Sequence, residues 1–299
     1  MEFLNKHSDR KEKFIGVILM FVIAFVLMYI LSLPALFYGG SFVVQSTASS
    51  EDLNLQLLIN CLPFLGITGA IFISLKFIHK SVFKSIISYN DTFDLRRLLF
   101  GFLIWGIIHL IAFVLDYFYV TGPAFFTYNG LSKSFYIGVV VSLVILALQS
   151  SAEEFLCRGY LMQAMGFVFQ YRWIPIVIMG LFFGFLHSAN FEVDVYGKEI
   201  MMLHYCSVGV FLSIIVVLDN RIELALGFHA VNNILASILV NFEGSSLKSN
   251  ALFTIGKVDP YIGYLTWLIS AILFYIICKE KYKWPSIGYI FHKREDYVK

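Results

Sequence analysis

Three short stretches of this chain place polar and ionisable side chains among apolar neighbours. In SAEEFLCRG (151–159), Glu153 and Glu154 follow the apolar run VVVSLVILAL, and Arg158 comes one helical turn later. On a helix Glu154 and Arg158 stand i,i+4 in the favourable acid-before-base order, while Glu153 is turned about 100° away. One carboxylate is then neutralised by the guanidinium and the other is left free to react. In FFGFLHSAN (182–190), Phe183 precedes His187 by one turn on the same face. In GFHAVNN (227–233), His229 and Asn233 project from one helical stripe, with Asn232 adjacent.

Each stretch alone has a plain structural explanation. Exposed i,i+4 ion pairs are common at helix ends, a lone His on an apolar helix is usually packed and hydrogen-bonded, and His and Asn tie membrane helices together for about 0.6 kcal/mol apiece. Jointly they supply the parts of a hydrolase: a carboxylate to take a proton from water, imidazoles to orient or protonate, and an amide to donate to an oxyanion.

The elements that must position them are transmembrane helices. The 299 residues are 59% hydrophobic and only 14% charged, with a mean hydropathy of +0.79, which excludes an ordinary soluble domain. Apolar runs reach roughly 17 to 25 residues, the length of a bilayer-crossing helix. About eight spans are expected, near 14–38, 56–78, 98–120, 134–152, 173–190, 201–218, 222–241 and 261–278, as one all-α polytopic bundle. The first reads as a retained span, too long for a signal h-region. Residues 153–172 mix Glu153, Glu154, Arg158, Gln163, Gln170 and Arg172 with apolar side chains, which predicts an interfacial or partly immersed helix.

Lys and Arg cluster at the N-terminus (Lys6, Arg10, Lys11, Lys13), around 76–97 and in the tail (Lys279, Lys281, Lys283, Lys293, Arg294), whereas 39–55 carries none. The positive-inside rule then puts both termini in the cytoplasm, in a plasma or inner membrane. On that topology His187 falls toward the far end of its span, at odds with the cytoplasmic-side depth of Glu153 and His229.

Other classes are poorly served. A net charge of +2 without a basic face argues against nucleic acid as a partner. Cys61, Cys157, Cys206 and Cys278 show no metal-site spacing and read as buried free thiols. The 17% aromatic content suits lipid-facing packing. A transporter would show two related halves with broken spans, and none is seen.

The motifs carry a resemblance. EEFLCR matches EExxxR, FGFLH matches FxxxH and HAVNN matches HxxxN, in the order found in the CAAX protease and bacteriocin-processing (Abi) family. The chain resembles that family over a core of 135–240, with 1–134 as extra N-terminal helices and 241–299 as a last helix and basic tail. The resemblance implies a membrane endopeptidase related to type II CAAX prenyl proteases, its polar cavity open to the cytoplasm, acting on a membrane protein or peptide within the bilayer. It makes Glu153 the catalytic carboxylate, His187 its partner in activating water, and His229 with Asn233 the oxyanion pair. Glu154, Arg158 and Phe183 become supporting residues. No cofactor is expected; zinc on Glu and His ligands is the alternative, though the HExxH pair of many zinc proteases is missing. The rival reading on the same fold is a non-catalytic scaffold or bacteriocin self-immunity protein.

Overall fold

The computed structural model describes residues 10–37, 50–166 and 168–293, and among them ten α-helices carry nearly all the regular structure. These are α1 (Arg10–Phe37), α2 (Ser50–Ile73), α3 (Leu95–Leu115), α4 (Lys133–Glu154), α5 (Met162–Gly166), α6 (Trp173–Leu186), α7 (Phe191–Tyr196), α8 (Lys198–Asp219), α9 (Glu223–Ile238) and α10 (Pro260–Tyr282). Lys6, Arg294 and most of the 39–55 connection lie outside the described residues.

Among the described residues six stretches are long and apolar enough to cross a bilayer: Ile15–Ala35, Leu53–Ile78, Leu95–Val120, Lys133–Gly166, Lys198–Asp219 and Pro260–Tyr282. Their outward side chains, such as Phe25, Leu103, Ile107 and Ile269, are exposed, as lipid-facing residues must be. The chain is an integral, all-α polytopic membrane protein. A helix forms at each of the eight expected places, but α6 has 14 residues and α9 has 16, rises of about 21 and 24 Å against a hydrocarbon layer of roughly 30 Å. The expectation of eight full spans is corrected to six. The physical reason is enclosure: α9 is buried from Glu223 through Val231, so its length is set by the helices wrapped around it and not by lipid.

A second correction concerns 153–172. Instead of an interfacial helix, α4 continues through a π-helical turn, Phe155–Leu161, into α5 as one rod of 34 residues. Leu156 through Leu161 are buried. The polar residues in this stretch answer to protein partners and not to water: Gln163 Nε2, for example, donates to the Ser85 carbonyl at 3.0 Å.

Several helix crossings are tight enough to demand glycine, two of them beside the polar cluster. A Cβ on Gly227 of α9 would fall 2.1 Å from the Leu98 carbonyl oxygen of α3, and one on Gly101 of α3 would fall 2.5 Å from that of Leu224. Where α6 meets α8, a Cβ on Gly209 would sit 2.9 Å from the Gly180 Cα. Small residues let helix backbones approach in this way without a hydrophobic driving force, and they draw α6, α8 and α9 around the end of α4.

The bundle has two distinct ends. At one, the connections 79–94 and 220–222 meet the C-terminal tail: Ser88 bridges Arg221, Tyr171 bridges Lys293, and Trp284 Nε1 donates to Asp219 Oδ1 at 2.8 Å. We call this the tail end. The other, the loop end, holds a three-stranded sheet in the order β1 (Phe126–Tyr128), β3 (Phe253–Ile255), β2 (Val240–Phe242), together with α7. There Glu192 accepts from the Ser246 backbone N–H at 2.8 Å and Tyr196 donates to the Glu243 carbonyl at 2.7 Å.

Candidate active site

The three sequence motifs converge. Glu153, Phe183, His187, His229 and Asn233 all line one cavity of about 570 Å³, and Glu154 and Arg158 are fully buried behind it. The depth conflict for His187 disappears because both helices involved differ from expectation. α6 stops at Leu186 and His187 terminates it, 14 residues from Trp173, while α4 and its continuation run 13 residues past Glu153 to Gly166. Both side chains therefore stand about 20 Å above the tail end.

Glu154 and Arg158 form an ion pair, Oε1 to Nη1 at 2.6 Å, with neither side chain exposed. A buried guanidinium needs further acceptors, and Arg158 Nη2 donates to the Gly209 carbonyl at 3.0 Å while its plane lies over the Phe183 ring at 4.7 Å. Phe183 thus serves as a platform beneath Arg158 on one side and stacks on His187 on the other, at 4.3 Å. His229 Nδ1 donates to the same Glu154 oxygen at 2.8 Å, since a carboxylate there can only accept. That bond fixes the ring and turns Nε2 toward Glu153.

Glu153 is 7% exposed. Its Oε1 accepts from Gln149 Nε2, one turn earlier on α4. Its Oε2 has no hydrogen-bond partner among the described residues and faces His187 Nε2 at 4.0 Å and His229 Nε2 at 3.7 Å. A buried carboxylate oxygen without a partner calls for an explanation, and 4.0 Å is about the interval one water bridges with two hydrogen bonds of roughly 2.8 Å. His187 Nδ1 donates to the Phe183 carbonyl at 2.8 Å, so in the neutral ring Nε2 is an acceptor. A water between Glu153 Oε2 and His187 Nε2 would give a proton to each and keep its lone pairs for attack.

Sequence reasoning missed Gln149, Trp105 and Tyr205. Gln149 lies i,i+4 before Glu153 and links it to Asn233, whose Nδ2 donates to Gln149 Oε1 at 2.9 Å. Asn232 Nδ2 donates to Asn233 Oδ1 at 3.2 Å and itself accepts from Trp105 Nε1 at 3.1 Å. Each donor in this chain points the same way, ending on Glu153. Tyr205 of α8 covers the other face of His187, with ring centroids 4.7 Å apart, and accepts from Asn190 Nδ2 at 3.2 Å. A lone Gln in the run VVVSLVILALQ is the legible signal for Gln149; nothing in the sequence marks Tyr205.

Zinc fits this set poorly. Ligands about 2.05 Å from a tetrahedral ion stand about 3.4 Å apart, closer than the 3.7 and 4.0 Å found from Glu153 to the two imidazoles. Among the described residues no three His, Cys, Asp or Glu side chains are grouped as a metal ion requires.

Residues 133–235, which contain every side chain of the cluster except Trp105, match the family described as type II CAAX prenyl endopeptidase Rce1-like. The central third of the chain is thus similar to this protease family. That match supports a membrane endopeptidase in broad class. Over 222 residues it is also 26% identical to a Bacillus subtilis (strain 168) protein described as uncharacterized protein YyaK, covering 74% of this chain and 73% of that one.

The cavity lies toward one end of the bundle. Its rim is formed by Asn190, Glu192, Ser246 and Lys248 at the loop end, and no residue of 79–94, 168–172, 220–222 or the described tail lines it. It opens at the end opposite the C-terminal tail.

Proposed function

We propose that this protein hydrolyses a peptide bond in a membrane-associated protein or peptide by metal-free, carboxylate-based water attack. Glu153 Oε2 takes a proton from water held against His187 Nε2 as the water oxygen bonds to the scissile carbonyl carbon. The carbonyl oxygen then carries negative charge, met by His229 and by the second N–H of the Asn233 amide. Collapse of this intermediate breaks the C–N bond, and the proton on Glu153 passes to the leaving amine, restoring the carboxylate. His229 donates from Nε2 when both ring nitrogens carry hydrogen, since its Nδ1 already donates to Glu154. Glu154, Arg158 and Phe183 hold the cluster in place without touching substrate.

The observation that carries this reading is the buried, unpartnered Glu153 Oε2 facing two imidazoles at water-bridging distance. The partners are a membrane peptide and the bilayer itself, without nucleic acid, in a plasma or inner membrane. Purified protein with Glu153→Gln tests it: peptide cleavage is lost while the unfolding temperature is kept. A Glu153→Gln protein that cleaves like the unaltered one would leave the cluster as helix-to-helix glue, the arrangement of a scaffold or immunity protein.

A further inference from the structure

We infer that the cavity opens on the extracytoplasmic side of the membrane, so that the substrate is an exported, membrane-attached peptide and not a cytosolic C-terminus. This rests on the peptidase reading for what the cavity holds, but its orientation comes from separate observations.

The first is the segregation of positive charge between the two ends. The tail end carries Lys80, Lys84, Arg96, Arg97, Arg172 and Arg221, joined by Lys279, Lys281, Lys283 and Lys293 as the last helix emerges. The loop end carries only Lys133, Lys198, Lys248 and Lys257 among the described residues. Orientation follows Lys and Arg counted over short connections, and all these connections are short. The tail end is thus cytoplasmic and the loop end faces out.

The second is that, of the two ends, it is the loop end that the cavity reaches. From Glu153 and His187 it runs past Tyr205 and Asn233 to Asn190, Glu192 and Lys248. On the tail side the way is closed by the buried Glu154–Arg158 pair, by Ile222 and Leu224 at 0% exposure, and by the fully buried Met162. A peptide approaching from the cytoplasm would have to break that packing.

The third is the chemistry of the walls. Phe21, Ala24 and Met28 of α1, with Leu57 and Phe64 of α2, make one side mainly apolar, interrupted by Gln56 and Asn60, while the rim is polar. Such a mouth receives a chain whose apolar part stays in the outer leaflet while a polar, extended stretch enters from outside. That is the form of a peptide left in the membrane after export, or of the outward end of a membrane protein.

Labelling in intact bacterial cells tests this without any turnover. Single variants Glu243→Cys and Lys248→Cys report on the loop end, and Lys84→Cys and Glu280→Cys on the tail end. The unaltered chain, with its native thiols Cys61, Cys157, Cys206 and Cys278 buried or half-buried, gives the background. A membrane-impermeant maleimide is expected to label the loop-end variants in intact cells and the tail-end variants only after permeabilisation; the reverse pattern overturns the inference. Fusions to the C-terminus of the unaltered chain check it independently, a fluorescent protein being expected to mature there and alkaline phosphatase to stay inactive. Active phosphatase would overturn it. A reversed orientation leaves the peptidase reading intact, and an active Glu153→Gln protein leaves the orientation intact.

Discussion

Gln149 Nε2 donates to Oε1 of Glu153 from the preceding turn of α4, while Oε1 of the same amide accepts from Asn233 at 2.9 Å. One side chain therefore sets the rotation of the proposed base and ties it to the proposed oxyanion donor.

Gln149→Leu should lower kcat about 10- to 100-fold with little change in KM, as expected of a positioning residue acting through a general base. Gln149→Glu should be worse, because a second carboxylate beside Glu153 raises the cost of ionising either. Turnover of a peptide cut by the unaltered protein measures both. Equal activity in all three proteins would remove Gln149 from the mechanism.

The two adjacent glutamates should separate by phenotype. Glu154→Gln leaves the buried Arg158 without its counter-charge, a loss of about 3 to 5 kcal/mol for a broken buried pair, and should appear as a large fall in unfolding temperature. Glu153→Gln should leave stability nearly unchanged while ending activity. Thermal unfolding in detergent, read beside cleavage, distinguishes them.

His187 lies between the Phe183 and Tyr205 rings. Tyr205→Phe keeps the stacking surface and should retain most activity. Tyr205→Ala removes it and should cost about tenfold in kcat, since a misplaced catalytic group is expensive. A hydroxyl role for Tyr205 would instead be revealed by loss in the Phe variant.

Gly227→Ala puts a methyl group where the Leu98 carbonyl oxygen lies 2.1 Å away. The α3–α9 crossing must then widen, at about 1 to 3 kcal/mol for overpacking, seen as a lower unfolding temperature. An unshifted transition would mean that the crossing tolerates a wider approach.

Chelation followed by gel filtration should leave turnover unchanged, given carboxylate-to-imidazole distances wider than a zinc ion spans. Loss of activity restored by added zinc would replace the metal-free mechanism.

Much of the fold and of the cluster is legible in the sequence. Run length locates the helices, and i,i+4 spacing alone pairs Glu154 with Arg158. What stays hidden has physical causes. Periodicity says how long an apolar run is but neither where its helix ends nor whether protein surrounds it, so α6, which stops at Leu186, and the enclosed α9 both read as full spans. The polar stretch after Glu153 looks interfacial because its partners, such as Ser85 and Gly209, are far away in the chain. Tyr205 resembles any membrane tyrosine until α8 is packed against His187. The cavity's direction is not legible either, because it depends on which end of the packed bundle Asn190, Glu192 and Lys248 reach.

The shortness of α6 also limits where a substrate can be cut. From its start at the tail end it rises about 21 Å of a roughly 30 Å hydrocarbon layer, which leaves His187 about 9 Å below the opposite surface. An extended chain covers that in about three residues at 3.3 Å each. Scission should therefore fall within a few residues of where the target leaves the lipid, clipping chains near the membrane surface and sparing the middle of a folded transmembrane helix.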